Sequence, residues 1–263
     1  MSNQPTKSIA IDHQATTLQA KMKTIKLFAP FRSGSNLVKA CIEHNYADLR
    51  VFNTGKSKHW KHGFFVDAKN HDGYIFCARH PLDLACSIRR YYFKNGRNIT
   101  IHAEWDTFFD RPIAIFDQTK KTTTSPLYFP NIYHLINAWY YNYTTILARK
   151  KYNSALILYE NLISCQEITI KKLLTKINID PENLSSDFQL IQEKTKNLGD
   201  ERYVKPKNQK TNFSSEISTL RTSCGFASEK LKSELSIGQL TSAKETIDWN
   251  VMKQIGYDEK GIL

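Results

Sequence analysis

Twice in its N-terminal part the sequence runs from a short apolar segment through a loop into a helical pattern, and this repetition constrains the fold more than any other feature. "TIKLFA" (24–29) is β-branched and apolar, and after a loop "NLVKACIEHN" places Leu37, Val38, Cys41 and Ile42 on one helical face. "GYIFCA" (73–78) is continuously apolar, the signature of a strand buried on both faces. Pro81 then suits the first turn of a helix through "LDLACSIRRYYF", with Asp83 complementing its positive start. "LRVFN" (49–53) and "ALILY" (155–159) read as further strands, the second followed by a helix around "ITIKKLLTKIN". Between 131 and 150, Ile132, Leu135, Ile136, Trp139, Tyr140, Tyr143, Ile146 and Leu147 recur at helical spacing, and their aromatics read as core. Strands alternating with helices predict an α/β fold, a central parallel sheet flanked by helices, with ligands at the carboxyl ends of the strands.

The 263 residues, 41% hydrophobic and 12% aromatic, suffice for one domain over 24–263 behind a polar N-terminal extension, 1–23. A basic stretch without apolar periodicity, 194–215, reads as a surface loop. Thr241 or Ser242 is expected to cap a last helix, with Glu245 completing a capping box for Ser242 and Gly256 ending it. The net charge of +12 points to an anionic partner, and its spread along the chain disfavours a nucleic-acid patch. Five cysteines without a Cys-x-x-Cys pair support neither a disulfide framework nor a zinc site, so no metal is expected. A reducing, cytoplasmic setting fits, since no apolar stretch approaches the roughly 18 residues of a transmembrane helix and no secretory signal opens the chain.

In the first loop Ser33, Gly34 and Ser35 lie between a strand and a helix, where backbone N–H groups can converge on a phosphate-sized anion. The loop lacks the Gly-Lys-Ser/Thr ending of nucleoside-triphosphate loops, which disfavours an ATP or GTP enzyme. Arg79 follows the buried strand, and Ser87 stands about two turns into the next helix, about 9 Å along its axis from Pro81. Together with the first loop they suggest two separate phosphate sites.

These segments resemble those of sulfotransferases that use 3'-phosphoadenosine 5'-phosphosulfate (PAPS). "FRSGSN" (31–36) is similar to the family's loop for the 5'-phosphosulfate, "RHPLDLACS" (79–87) to its 3'-phosphate segment with Arg79 and Ser87 in register, and "LILYENLI" (156–163) to its Tyr-Glu-Asp/Asn-Leu element. The resemblance implies a P-loop-like, nucleotide-kinase-like sulfotransferase fold, PAPS as co-substrate and Tyr159 against the adenine; Gly256 and Tyr257 match a further common pair. It also has departures. Phe31 replaces the loop Pro, which lies one position earlier as Pro30, Arg32 stands where cytosolic members have Lys, and Leu37 takes the place of a stacking aromatic. The Arg-Lys-Gly triplet that closes over the 3'-phosphate is missing, which leaves Lys205 or Lys207 of "YVKPKNQK" for that task, and the dimerisation motif of the cytosolic animal enzymes is not found.

Sulfuryl transfer asks the protein to position an in-line nucleophile and leaving group and to neutralise charge. Arg32, always charged and able to bind oxygens as a fork, is placed for the leaving phosphate, with Ser33, Gly34, Ser35 and Asn36 adding hydrogen bonds. The resemblance puts the base for an acceptor hydroxyl in "GKSKHWKHGFF" (55–65), where His62 is favoured over His59 and Lys61 could steady the sulfonate. His102 and Glu104 are candidates for an acceptor pocket, and "RRYYFKNGRN" (89–98) for guiding an anionic acceptor; each also reads as ordinary surface, and an arginine at position 32 points toward a carbohydrate as the hydroxyl acceptor. The rival readings are a nucleotide-kinase-like phosphotransferase and a basic nucleic-acid-binding protein.

Overall fold

The computed structural model describes residues 22–53, 61–64, 71–95, 99–100, 104–115, 126–182, 187–191 and 234–259. The expected extension before residue 22, the 194–215 loop with Lys205 and Lys207, and His59 and His102 lie outside the described residues. Four strands, β1 (Lys23–Phe28), β2 (Leu49–Phe52), β3 (Gly73–Ala78) and β7 (Ser154–Leu158), form a parallel sheet in the order β2-β1-β3-β7. The apolar continuity of "GYIFCA" has its expected cause, because all six residues of β3 are buried.

Period-two alternation along β3 divides the core between the two faces of the sheet. Tyr74, Phe76 and Ala78 join Phe28 in a cluster with α2 (Pro81–Asn95), α3 (Ile132–Ala148), α6 (Ile237–Thr246) and α7 (Trp249–Ile255). Ile75 and Cys77 join Ile25 and Leu27 in a second cluster with α1 (Ser35–Asn45) and α5 (Gln166–Lys176). Burial of one such large apolar side chain is worth about 1.5–3 kcal/mol, so both helical layers hold the sheet in place. The predicted helix of 131–150 is α3, capped by Asn131, whose side chain accepts from the Tyr133 and His134 N–H groups.

Three short strands, β4 (Ile99–Thr100), β5 (Ile113–Ile115) and β6 (Leu127–Phe129), make a separate antiparallel sheet. Strands of two or three residues leave no periodicity for a sequence reading to find. Tyr159, expected at the end of a strand, instead begins a short helix, α4 (Tyr159–Ser164). The expected cap at Thr241 or Ser242 is also corrected. Ser236 and Gln239 form the capping box, so the helix starts earlier and both residues lie inside α6. The chain then breaks at Ile247 and α7 restarts at the Asp248 cap, while Gly256 does end it, in left-handed conformation at φ 110°. Among the described residues no helix is long and apolar enough to cross a membrane.

Strand order places the switch point between β1 and β3. The chain leaves β1 for β2 on one side and returns to β3 on the other, so the loops after β1 and β3 stand at the carboxyl edge where open α/β sheets place their ligand crevice. Beneath it Lys26, in register between Phe52 and Tyr74, is only 1% exposed. Burial, aided by the charge of Lys61, pushes its pKa from 10.5 down to about 7. The unfolded chain holds that proton up to about 10.5, so this contribution to stability grows as pH rises from about 7 and is lost as pH falls back through about 7. Lys26→Met is expected to stabilise the fold at pH 6.5 by about 1–3 kcal/mol and to flatten the pH dependence between 7 and 10 in urea titrations. A less stable variant with an unchanged slope refutes the assignment.

Candidate functional site

The loop after β1 is shaped by two left-handed residues, Arg32 at φ 66° and Gly34 at φ 87°. Ser33, between them, turns inward, and its hydroxyl donates to the Pro30 carbonyl at 2.9 Å, so this side chain braces the turn. Gly34 is the N-cap of α1 and supplies no side-chain acceptor. The N–H groups of Gly34, Ser35 and Asn36 have no hydrogen-bond acceptor among the described residues. Three unpaired donors at the positive end of a helix form a site for an anion.

Gly34 is required for a second reason. A Cβ there would lie 2.3 Å from Cδ2 of Tyr159, whose ring sits over the loop. The other face of the site comes from Arg79, just past β3. Its guanidinium lies 4.6 Å from the Tyr159 ring centroid, and its Nη1 donates to the Arg32 carbonyl at 3.1 Å. The two motifs separated by 47 residues therefore touch.

Arg32 lies over the Tyr91 ring at 5.2 Å. Partial burial and the like charge of Arg79 lower its pKa, although a guanidinium remains charged throughout the working range. Neither arginine forms an ion pair among the described residues, and the Nε of Arg79 is buried without an acceptor. Asp83 is close enough to feel Arg79, but burial dominates and pushes its carboxyl up to about 6.

On the β2 side, Asn36 Oδ1 accepts from Lys61 Nζ at 2.9 Å and from Asn53 Nδ2 at 3.3 Å. Burial depresses the Lys61 ammonium to about 8. His62 stacks on Phe31 with ring centroids 4.1 Å apart, and its Nδ1 lies 2.8 Å from the Ala29 carbonyl. A carbonyl only accepts, so Nδ1 carries the hydrogen and Nε2 is the basic atom of the neutral ring. Burial, then the charge of Lys61, holds the His62 pKa well below 6.5. The backbone is fixed as well: Ala29 N–H donates to the Lys61 carbonyl at 2.7 Å, and Trp139 Nε1 donates to that of His62 at 2.9 Å.

The fold therefore brings Arg32, Ser33, Gly34, Ser35, Asn36, Lys61, His62, Arg79 and Tyr159 to one edge of the sheet. Ser87 is nearly buried on α2, and no hydrogen bond among the described residues joins it to the loop. Glu104 belongs to a turn in which its N–H donates to Thr107 Oγ1 at 3.1 Å, and no hydrogen bond among the described residues joins it to the loop. Two residues that hold the site, Tyr140 and Glu160, were not singled out from the sequence as doing so. The Tyr140 phenol accepts from the Arg79 N–H at 2.9 Å and donates to its carbonyl, yet it sits in an apolar helical face that reads as core. Glu160 takes the His80 N–H at 2.8 Å and the Tyr257 O–H at 2.7 Å; its signal was its place directly after Tyr159.

Gly34→Ala meets both an unfavourable φ and the Tyr159 ring. It is expected to cost about 1–3 kcal/mol of stability and to expel the ring, seen as faster quenching of tyrosine fluorescence. A variant as stable as the wild type places Tyr159 elsewhere. Compared with family models, curated proteins and solved structures, the chain matches none.

Proposed function

We propose that the chain is a PAPS-dependent sulfotransferase of P-loop-like fold, moving the sulfuryl group to a hydroxyl acceptor and releasing adenosine 3',5'-bisphosphate. The observation that carries this reading is the pair Arg32 and Arg79: two cations without ion pairs among the described residues, meeting at a helix start with three unpaired N–H groups. That arrangement suits a ligand with separated anionic groups. It gives the resemblance of "FRSGSN" and "RHPLDLACS" a common place in space.

In this reading the acceptor oxygen attacks sulfur, the bond from sulfur to the bridging phosphate oxygen breaks, and the acceptor proton passes to Nε2 of His62. Arg32 and the N–H groups of Gly34, Ser35 and Asn36 take up the charge that develops on the leaving phosphate. Lys61, held on Asn36, supports the transferring group while protonated. Arg79 and Tyr159 hold the far side of the nucleotide, with Ser87 supporting the 3'-phosphate. Lys205, or Lys207, closing over that phosphate and a carbohydrate acceptor remain parts of the proposal, as does a cytoplasmic setting.

Adenosine 3',5'-bisphosphate at a hundredfold excess over its Kd is expected to stabilise the protein by about 2.7 kcal/mol, visible as a rise in Tm. The Arg79→Ala/Ser87→Ala double variant is expected to lose that rise. A magnesium-dependent shift with ATP and none with the bisphosphate would transfer the protein to the phosphotransferases. Steep salt-dependent binding to nucleic acid, with neither nucleotide shift, would make it a nucleic-acid-binding protein.

His62→Ala is expected to lose turnover with donor affinity kept. The pH profile follows from the two shifts. A base whose pKa lies well below 6.5 is already neutral at pH 6.5, so the acidic limb falls below that value. Lys61 loses its proton as pH rises through about 8, which sets an alkaline limb there, and Lys61→Arg is expected to push that limb upward. An acidic limb unchanged in His62→Ala removes His62 from the role.

A further inference from the structure

His62 is held by three kinds of contact, and each fixes a different freedom of the residue. The Ala29 carbonyl meets Nδ1 at 2.8 Å and sets the tautomer. Trp139 Nε1–H donates to the His62 carbonyl at 2.9 Å and Ala29 N–H donates to the Lys61 carbonyl at 2.7 Å, so the backbone is held. A hydrogen bond at one ring atom sets a distance and leaves the plane of the imidazole free to tilt about it. The third contact closes that freedom: the Phe31 ring lies against the imidazole with centroids 4.1 Å apart and an interplanar angle of 30°.

Phe31 is itself held. It is 5% exposed, and its ring meets that of Trp139 at 5.8 Å and 72°. Trp139 is fully buried in α3, so one indole braces both the Phe31 ring and the His62 carbonyl. In the chain Phe31 stands between Pro30, whose carbonyl anchors the Ser33 hydroxyl, and Arg32, which begins the left-handed turn at φ 66°. It therefore joins the histidine to the turn that carries the N–H groups of Gly34, Ser35 and Asn36, which have no acceptor among the described residues. In-line transfer needs the group that takes the acceptor proton and the groups that meet the leaving phosphate at a fixed separation, and a misplacement of about 1 Å can cost about a hundredfold in rate.

We propose that Phe31 is a positioning residue that acts through His62: its ring, braced by Trp139, fixes the plane of the imidazole and so holds Nε2 in register with the anion loop. This rests on the reading above, in which His62 is the base and the loop holds the leaving phosphate. An aliphatic side chain of similar bulk fills much of the same space but offers no flat face to set the plane of a ring. The charged groups that act on the imidazole are Lys61 and Lys26, and both disfavour its protonated form, as burial does.

The test separates turnover from binding. Phe31→Leu keeps most of the bulk and removes the aromatic face, and kcat is expected to fall about tenfold while the Kd for adenosine 3',5'-bisphosphate in calorimetry stays at the wild-type value. The imidazole loses part of its cover, its pKa rises toward 6.5, and the acidic limb of the kcat profile is expected to move to higher pH. Trp139→Phe removes the N–H on the His62 carbonyl and is expected to lower kcat with bisphosphate affinity kept, which carries the test where Phe31→Leu does not fold. In the His62→Ala background neither change is expected to lower kcat further. Wild-type kcat in either variant, or a loss of bisphosphate affinity as large as the loss of kcat, overturns the proposal; the second result makes Phe31 a support of the anion loop alone.

A ligand-free readout accompanies the kinetics. In Phe31→Leu the His62 Cε1–H resonance is expected to broaden as the ring gains freedom and to titrate at higher pH than in the wild type. If the wild type neither binds the bisphosphate nor transfers a sulfuryl group, the donor reading falls. The resonance then decides alone whether Phe31 holds the imidazole, and a ring that stays as sharp and titrates as before overturns that as well.

Discussion

The carboxyl edge of the sheet turns on one contact, the Arg79 guanidinium donating to the Arg32 carbonyl at 3.1 Å, made while the charges of the two residues repel each other. Arg79 donates to the Arg32 carbonyl, Tyr140 fixes the Arg79 peptide, and Glu160 fixes the next one at His80. A protein that only needed this loop for its fold could neutralise it with one nearby acid. Asp83 is within electrostatic reach of Arg79 and does not form that pair. The like-charge repulsion is therefore not offset by an ion pair among the described residues, and an anion between the two arginines would relieve it.

The scaffold and the site were legible in the sequence to different degrees. β3 could be read because every one of its residues is buried, and α3 because its apolar stripe covers a sheet and meets other helices. The loop at 31–36 and Arg79 could be placed at the carboxyl ends of β1 and β3 because an apolar run ends just before each of them. Tyr140, Glu160 and Tyr257 could not be read as their supports, since their partners lie far away in sequence: 61 residues for Tyr140 and Arg79, 97 for Tyr257 and Glu160. Local pattern carries no information on such pairs. The last helix was misplaced for a related reason. Ser242 with Glu245 and Ser236 with Gln239 are equivalent as sequence, and packing of Leu240 and Ala243 into the core decides between them.

Some of the buried polar atoms without partners lie at this edge. Asn53 Oδ1, Arg79 Nε and Asp83 Oδ1 are buried without partners among the described residues, following β2, following β3 and in the first turn of α2 respectively. Each orphaned group costs about 1–3 kcal/mol, and a chain selected for stability alone would have paired or replaced them. The two lysines with depressed pKa values, Lys26 and Lys61, lie on the β1 and β2 side of the same edge and make it more positive still. One half of the crevice is thus cationic through arginines that cannot lose their charge. The other half is cationic through groups that can, with a histidine already neutral between them. In the proposed reaction that division would separate holding an anion from moving a proton, with fixed charge beside the leaving phosphate and titratable charge beside the acceptor hydroxyl.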